Sequence, residues 1–176
     1  ARGSGAVVAI DPRDGAVRIL ASVPDYDPNL FSGVITQDLW NQVSSDSLHP
    51  LFNRAIKGTY PPGSTMKAVT AAMGLEDHII TPSTRFDPCH GAKQFGNRVF
   101  KCWAPAGHGS LGLIDAIIQS CDVYFYQLGL AGGIDAWTDM SAKLHFGQVT
   151  GIDLPGELPG INPTSDYMDK RYGVGG

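Results

Sequence analysis

The chain opens with two nearly continuous apolar runs, residues 5–10 and 16–23, separated by the turn-forming segment 11–15. Apolar runs joined by a short segment rich in Asp, Pro and Gly predict an antiparallel β-hairpin. Apolar residues fill consecutive positions in both runs, whereas a half-buried strand alternates apolar and polar residues. We therefore expect both faces of this hairpin to be covered.

Helical spacing of apolar residues marks three later segments. Apolar residues recur at helical intervals after Ser64 and predict a helix over residues 64–75. Serine is a favourable residue at the N-terminus of a helix. Residues 111–130 predict a second helix, and residues 134–145 predict a third. The expected buried positions of the second helix are Leu113, Ile117, Val123, Tyr124 and Leu128.

The segments between these helices lack a sustained period. Residues 24–63 and 81–110 and the tail from Gly151 are rich in Pro and Gly, and we expect them to be irregular apart from a short helical patch near 36–43. Irregular segments of this length in a globular domain usually either carry function or lack order. The long loops are therefore expected to do one or the other.

Composition indicates a globular chain. Its 176 residues suffice for one domain or a piece of a larger one, and 43% are apolar, enough to form a core. The formal net charge is −4 and no basic run exceeds two residues, which argues against a nucleic-acid partner. No apolar run approaches the roughly 18 residues of a transmembrane helix. Without an initiator Met or a signal peptide, the chain is expected to be a fragment of a longer protein.

Ser64-Thr65-Met66-Lys67 is the strongest candidate for chemistry. A serine hydroxyl becomes a good nucleophile only when a base removes its proton. A lysine three residues later lies on the same helix face, and a lysine in apolar or cationic surroundings can lose its proton near neutral pH. The helix start also directs backbone N–H groups at a developing oxyanion. The pattern predicts a nucleophile and its base, although an ordinary helix start with a surface lysine has the same sequence.

The residues around this motif resemble those of the penicillin-binding transpeptidases. Segment 53–67, Asn-Arg-Ala-Ile-Lys-Gly-Thr-Tyr-Pro-Pro-Gly-Ser-Thr-Met-Lys, is similar to the start of the family's active-site helix, which carries S-x-x-K as its first motif. Other segments match in order along nearly the whole chain, and together they are most similar to class B, elongation-type enzymes. These segments are residues 6–12, 24–29, 107–109, 120–126 and 150–157.

The resemblance implies an α+β fold of the penicillin-binding transpeptidase (serine β-lactamase-like) type. The family's third motif, Lys-Thr-Gly or a close variant, is absent, and the sequence offers only Lys57-Gly58-Thr59. That motif comes later in the family's order. We therefore expect residues 1–176 to be the N-terminal part of a single transpeptidase domain, a β-hairpin plus a helical subdomain. The third motif and the remaining sheet strands would be missing, and this part alone is expected to be inactive.

Ser120-Cys121-Asp122 fits the family's second motif, S-x-N or, in some members, S-x-D, on a loop between two helices. The resemblance implies that Ser120 passes protons between Lys67 and the leaving group. It also implies that Asp122 orients Lys67 and contacts the substrate. A hydroxyl suits proton transfer because it both donates and accepts. The structural alternative is a helical serine that bonds a carbonyl one turn back.

Cys89, Cys102, His108 and Cys121 form a candidate metal-ligand set. Three cysteines and one histidine are a common tetrahedral set for structural zinc, although the paired C-x-x-C spacing is lacking. A metal would explain how the loop-like segment 87–110 is ordered. Some members of the resembled family have a zinc site at corresponding places. A disulfide, which an exported compartment permits, and inert buried thiols are the alternatives.

The resemblance further implies a peptidoglycan D,D-transpeptidase that acts on stem peptides ending in D-Ala-D-Ala and is acylated by β-lactams. The implied parent protein lies at the periplasmic, extracytoplasmic face of the inner membrane, held by an N-terminal helix. Its implied partner is a RodA-type glycosyltransferase in the elongation complex. Two alternatives stay open: a hydrolase of the D,D-carboxypeptidase or β-lactamase type, and a non-catalytic penicillin-fold sensor or interaction module.

Overall fold

The computed structural model describes residues 3–173. These residues divide into two units, one of residues 3–60 and 148–160 and the other of residues 61–147 and 161–173. Every predicted catalytic and metal-ligating residue belongs to the second unit. Among the described residues, no helix is both long enough and apolar enough to cross a membrane.

The first unit is built on the predicted β-hairpin. Strands β1 (Gly5–Ile10) and β2 (Val17–Val23) pair antiparallel, which confirms the hairpin. The turn between them requires a glycine, because Gly15 has a φ of 74°. The remaining elements of this unit are a 3-10 turn at Pro28–Phe31 and the helices α1 (Gln37–Ser44) and α2 (Arg54–Lys57). Helix α1 confirms the predicted helical patch.

The expectation that both faces of the hairpin are covered is wrong for the described chain. Val7 and Val8 point to opposite faces and are 58% and 45% exposed. Within residues 3–173 the sheet contains only β1 and β2. An apolar run shows that a strand can be buried, but burial needs a second layer, and the described residues do not supply a complete one.

The second unit packs its helices around one buried core. A 3-10 turn at Gly63–Met66 leads directly into α3 (Lys67–Glu76), and α3 packs against α5 (Asp122–Lys143). Leu128 of α5 is fully buried. It approaches α3 at Gly74, where an added Cβ would lie 2.8 Å from Cδ1 of Leu128. This close packing determines where the first residues of the two helices lie relative to each other.

The predicted helix over residues 111–130 is wrong as a single element. Helix α4 (Leu113–Ile118) ends before Ser120, which has a φ of 48°, and α5 begins two residues later. Helix α5 kinks at Gly133, and the part beyond the kink corresponds to the predicted third helix. Of the predicted buried positions, Leu113, Val123, Tyr124 and Leu128 are buried. The exception is Ile117, 47% exposed, because α4 turns Leu113 and Ala116 to the core instead.

Two segments predicted to be irregular contain regular structure. Strands β3 (Ala92–Phe95) and β4 (Arg98–Lys101) form a second antiparallel hairpin. The Gly-Asn pair at 96–97 is a two-residue turn signal that the sequence offered. The predicted loop after Gly151 contains α6 (Ser165–Tyr172). The last part of that predicted loop, residues 174–176, lies outside the described residues.

Candidate active site and metal centre

Ser64 lies in the turn that leads into α3. Gly63, just before it, has a φ of 61°, a conformation that glycine adopts without strain. The backbone N–H of Lys67 donates to the Ser64 carbonyl, so one helical turn separates the two residues. The Ser64 residue is exposed, and within residues 3–173 its hydroxyl has no hydrogen-bond partner. The predicted nucleophile is therefore open to a ligand.

Lys67 is surrounded by oxygens of the predicted second motif. Its Nζ lies 2.6 Å from Oδ1 of Asp122, 3.0 Å from Oγ of Ser120 and 2.7 Å from the Ser120 carbonyl oxygen. The Lys67 side chain is only 13% exposed. An ammonium group has three hydrogens, so each can be donated to one of these oxygens. The structure thus brings Lys67, Ser120 and Asp122 into one cluster.

The break between α4 and α5 turns Ser120 toward Lys67. The Ser120 N–H donates to the Ile117 carbonyl over 3.0 Å, and the Cys121 N–H donates to the Ala116 carbonyl over 2.9 Å. Ser120 has a left-handed φ, which costs a residue with a Cβ about 1–2 kcal/mol. Asp122 is the first residue of α5, where the helix dipole stabilises a carboxylate. The break therefore presents both Ser120 oxygens and the Asp122 carboxylate to one amine.

Trp103, which directly follows the predicted ligand Cys102, is also a neighbour of this cluster. Its backbone N–H donates to Oδ2 of Asp122 over 3.1 Å, and its indole N–H donates to the Gln119 carbonyl over 3.0 Å. Trp103 and Asp122 lie 19 residues apart in sequence. No spacing rule links residues at that separation in different elements, so only the fold reveals the contact.

Cys89, Cys102, His108 and Cys121 converge as the sequence predicts. Their ligand atoms all lie within 4.8 Å of one another, and Cys102 Sγ is 3.6 Å from His108 Nδ1. In a tetrahedral site with Zn–S near 2.3 Å and Zn–N near 2.0–2.1 Å, neighbouring ligand atoms are roughly 3.5–3.8 Å apart. All three cysteines are buried free thiols. The donor set fits a tetrahedral zinc ion.

Close backbone approaches hold the ligand segments together. Cys89 and Gly109 exchange a pair of backbone hydrogen bonds, each 2.9 Å long. A Cβ on Gly107 would lie 2.0 Å from the Cys89 carbonyl oxygen, and one on Gly91 would lie 2.0 Å from the Pro105 carbonyl oxygen. The loop that carries the ligands can therefore close only with glycine at both positions.

The thiols of the cluster differ in their electrostatic surroundings. Burial raises the pKa of the Cys121 thiol to about 12. Burial opposes ionisation of Cys102 as well, but the backbone N–H groups of Ala104, Asp122 and Val123 together lower the pKa of its thiol below the ordinary value. Two of these N–H groups belong to the start of α5, where an anion is favoured. Cys121 would thus ionise only beside a cation, which is what a bound metal supplies.

The family model described as penicillin binding protein transpeptidase domain matches residues 5–175. The chain belongs to this family. The match includes both motifs of the site, Ser64-Thr65-Met66-Lys67 and the Ser-Cys-Asp segment 120–122. Membership confirms the α+β transpeptidase fold predicted from the sequence.

Comparison with individual family members shows what share of each relative's length this chain covers. Peptidoglycan D,D-transpeptidase MrdA of Haemophilus influenzae is 38% identical over 169 residues, which are 96% of this chain but 26% of the relative. Penicillin-binding protein 2 of Pseudomonas aeruginosa, solved with WCK 5153, superimposes with a TM-score of 0.87 at 35% identity, over 98% of this chain and 38% of that one. Penicillin-binding protein 2 of Helicobacter pylori, solved in complex with MreC, superimposes with a TM-score of 0.88 at 35% identity. The match covers 97% of this chain and 32% of that one. The chain thus spans about a quarter of the length of MrdA.

The transpeptidase fold places the two predicted clusters side by side. Cys121 is both the middle residue of the second motif and a member of the metal-ligand set, so the clusters share one backbone segment. Ser64 is joined to them through the helix that carries Lys67. The predicted catalytic residues are Ser64, Lys67, Ser120 and Asp122, and the predicted metal ligands are Cys89, Cys102, His108 and Cys121.

Proposed function

We propose that the protein carrying this chain is a peptidoglycan D,D-transpeptidase that cross-links stem peptides through a serine acyl-enzyme. The observation that supports this most directly is the position of Lys67. Its amine lies within 3.0 Å of Ser120 Oγ and Asp122 Oδ1 and one helical turn from an exposed serine. In this proposal Ser64 is the nucleophile, Lys67 its base, Ser120 the proton shuttle and Asp122 the group that orients Lys67.

The acylation step assigns each proton to one of these groups. Ser64 Oγ bonds to the carbonyl carbon of the penultimate D-Ala while its proton passes to the neutral amine of Lys67. The bond to the terminal D-Ala breaks, and the leaving nitrogen takes a proton from the Ser120 hydroxyl, which Lys67 replaces. An amine of a neighbouring stem then attacks the ester carbonyl, the bond to Ser64 Oγ breaks, and the proton that the amine loses returns through Lys67 to Ser64 Oγ. A charged Lys67 would have all three hydrogens engaged, so it must give one up before it can act as a base.

Covalent labelling tests the proposal on a complete domain that contains this sequence. A fluorescent penicillin should label the domain at Ser64, since a β-lactam is attacked as the peptide would be. The label should disappear in Ser64→Ala and persist in Ser110→Ala, which removes an exposed hydroxyl outside the site. Undiminished labelling of Ser64→Ala would refute the assignment of the nucleophile.

Two other functions on the same scaffold remain separable by experiment. A D,D-carboxypeptidase or β-lactamase-type hydrolase would pass the acyl group to water even when an amine acceptor is abundant, whereas a transpeptidase would give the cross-linked product. A non-catalytic sensor or interaction module would not form the cross-linked product with any acceptor. Product analysis with and without an amine acceptor therefore distinguishes the three.

We also propose that Cys89, Cys102, His108 and Cys121 hold one structural Zn²⁺. The convergence of their ligand atoms within 4.8 Å supports the site. When bound, the ion would supply the charge that keeps the thiolates ionised and would tie segment 87–110 to the second motif. Metal analysis should find about one zinc per chain, and less in Cys102→Ser. A well-folded, metal-free protein would remove the proposal.

The proposed setting is that of the whole protein. We propose that residues 1–176 form the N-terminal part of a single transpeptidase domain at the periplasmic face of the inner membrane, in a protein anchored by an N-terminal helix. A RodA-type glycosyltransferase of the elongation complex is the proposed partner. The H. pylori relative solved with MreC supports an assembly of this kind. Co-purification of the full-length protein with the glycosyltransferase tests the partner, and consistent failure to co-purify would contradict it.

A further inference from the structure

Trp103 is an exposed aromatic residue with both of its N–H groups engaged. The residue is 65% exposed, so burial of its ring explains little of its position. Its backbone N–H binds Asp122 Oδ2 and its indole N–H binds the Gln119 carbonyl. These two partners lie on either side of Ser120, one directly before it and the other two residues after it. A single residue therefore spans the segment that carries the proposed proton shuttle.

The segment that Trp103 spans needs such support. Ser120 has a φ of 48°, and a residue with a Cβ keeps a left-handed conformation only where its surroundings determine it. The other Asp122 oxygen binds Lys67 Nζ over 2.6 Å, so the Trp103 backbone and Lys67 hold opposite sides of one carboxylate. If the Gln119 carbonyl were released, the peptide before Ser120 would be held only by the bond from its N–H to the Ile117 carbonyl, and its rotation would carry both Ser120 oxygens away from Lys67.

Trp103 also contacts the proposed metal loop. It follows Cys102 directly, and its ring lies 5.2 Å from the His108 ring, centroid to centroid. We propose that Trp103 is a positioning residue whose indole N–H holds Ser120 in its left-handed conformation and thereby sets the reaction geometry of Lys67 and Ser120. This inference rests on the proposed function and adds a residue that acts through its hydrogen bonds to Gln119 and Asp122.

An isosteric substitution isolates the indole hydrogen bond. Benzothienylalanine has the shape of tryptophan but carries sulfur in place of the N–H, and at residue 103 it leaves the backbone bond to Asp122 intact. Trp137 is the matched control in the same unit, because its indole N–H donates to Thr70 Oγ1 over 3.1 Å. The test uses a complete domain and separates penicillin acylation into the binding constant and the rate of the covalent step.

At residue 103 the covalent step should slow about tenfold, the effect of one lost hydrogen bond, while the binding constant and the zinc content stay unchanged. An azatryptophan, which keeps the ring N–H, should restore the rate, and Trp103→Phe should reproduce the loss. Benzothienylalanine at residue 137 should leave the covalent step unchanged. An unchanged rate at residue 103, or a loss that only follows loss of zinc, overturns the inference. If the unsubstituted domain is not acylated, the proposed function fails and the inference fails with it.

Discussion

Replacing Gly107 with alanine should loosen the metal-ligand loop, and the structure allows the effect to be separated from simple backbone strain. Gly107 has a φ of 77°, and an added Cβ would lie 2.0 Å from the Cys89 carbonyl oxygen. Gly109 has a similar φ of 69°, but nothing lies within 4 Å of its Cβ position. Gly109→Ala is therefore a matched control that carries the strain without the clash.

The magnitude follows from what the clash must break. A left-handed φ costs alanine about 1–2 kcal/mol relative to glycine, and both variants bear this cost. The carbonyl that Gly107→Ala strikes accepts one of the two hydrogen bonds between Cys89 and Gly109. Losing the pair adds about 1–3 kcal/mol at about 0.5–1.5 kcal/mol per bond. We expect a loss of about 1–2 kcal/mol for Gly109→Ala and about 2–5 kcal/mol for Gly107→Ala.

Urea unfolding of a complete domain measures both variants, first with a chelator and then with excess zinc. Zinc should increase the difference in unfolding free energy between the two variants. A ligand stabilises a folded protein more when it binds more tightly, and the loop of Gly107→Ala would bind zinc more weakly. Equal losses for the two alanines, with or without zinc, would refute the reasoning. That result would mean that the loop moves aside without breaking the contact between Cys89 and Gly109.

Three further predictions concern other parts of the structure. Ser120→Gly and Ser120→Ala both remove the proposed shuttle, and both should slow acylation by labelled penicillin. The glycine variant should nevertheless be about 1–2 kcal/mol more stable than the alanine variant in urea unfolding, because glycine adopts the left-handed φ without strain. Leu128→Ala, at a fully buried position, should cost about 2–5 kcal/mol by the same measurement, whereas Leu130→Ala, 72% exposed, should cost less than about 0.5 kcal/mol; similar losses would contradict the described packing of α5. The side-chain hydrogen bond from Arg13 lowers the pKa of Asp11 to about 2 from an ordinary value of 3.8. The stabilisation that this ion pair gives the folded state should thus be complete above about pH 4 and should be lost as the pH falls through 2. An Asp11 carboxyl that titrates near pH 4 by NMR would contradict the pairing.

Features set by neighbours along the chain could be predicted from the sequence. The β1–β2 hairpin follows from two apolar runs and a turn segment, and Ser64 and Lys67 share a helix face because they lie three residues apart. The metal-ligand set could be named because cysteine is rare and its chemistry is narrow. The β3–β4 hairpin also had a local signal, the Gly-Asn turn, which the general lack of periodicity in that segment obscured.

Contacts between distant segments could not be predicted in this way. Helical periodicity continues across residues 111–130 and so predicted one helix, although the resemblance placed Ser120 on a loop between two helices; neither predicted that Ser120 has a left-handed φ. Helical periodicity placed Ile117 in the core, yet the break turned it toward solvent.

The sequence by itself determined the family resemblance, the hairpin, the helical segment that begins near Ser64 and contains Lys67, and the identity of the candidate metal ligands. The tertiary structure adds the distances, with Lys67 Nζ within 3.0 Å of Ser120 Oγ and Asp122 Oδ1 and the four ligand atoms within 4.8 Å of one another, and it alone reveals that Trp103 spans the second motif. The reason is physical. Local structure depends on residues within a few positions of each other, whereas the active-site geometry depends on how α3 packs against α5 and on backbone hydrogen bonds that any residue type can form.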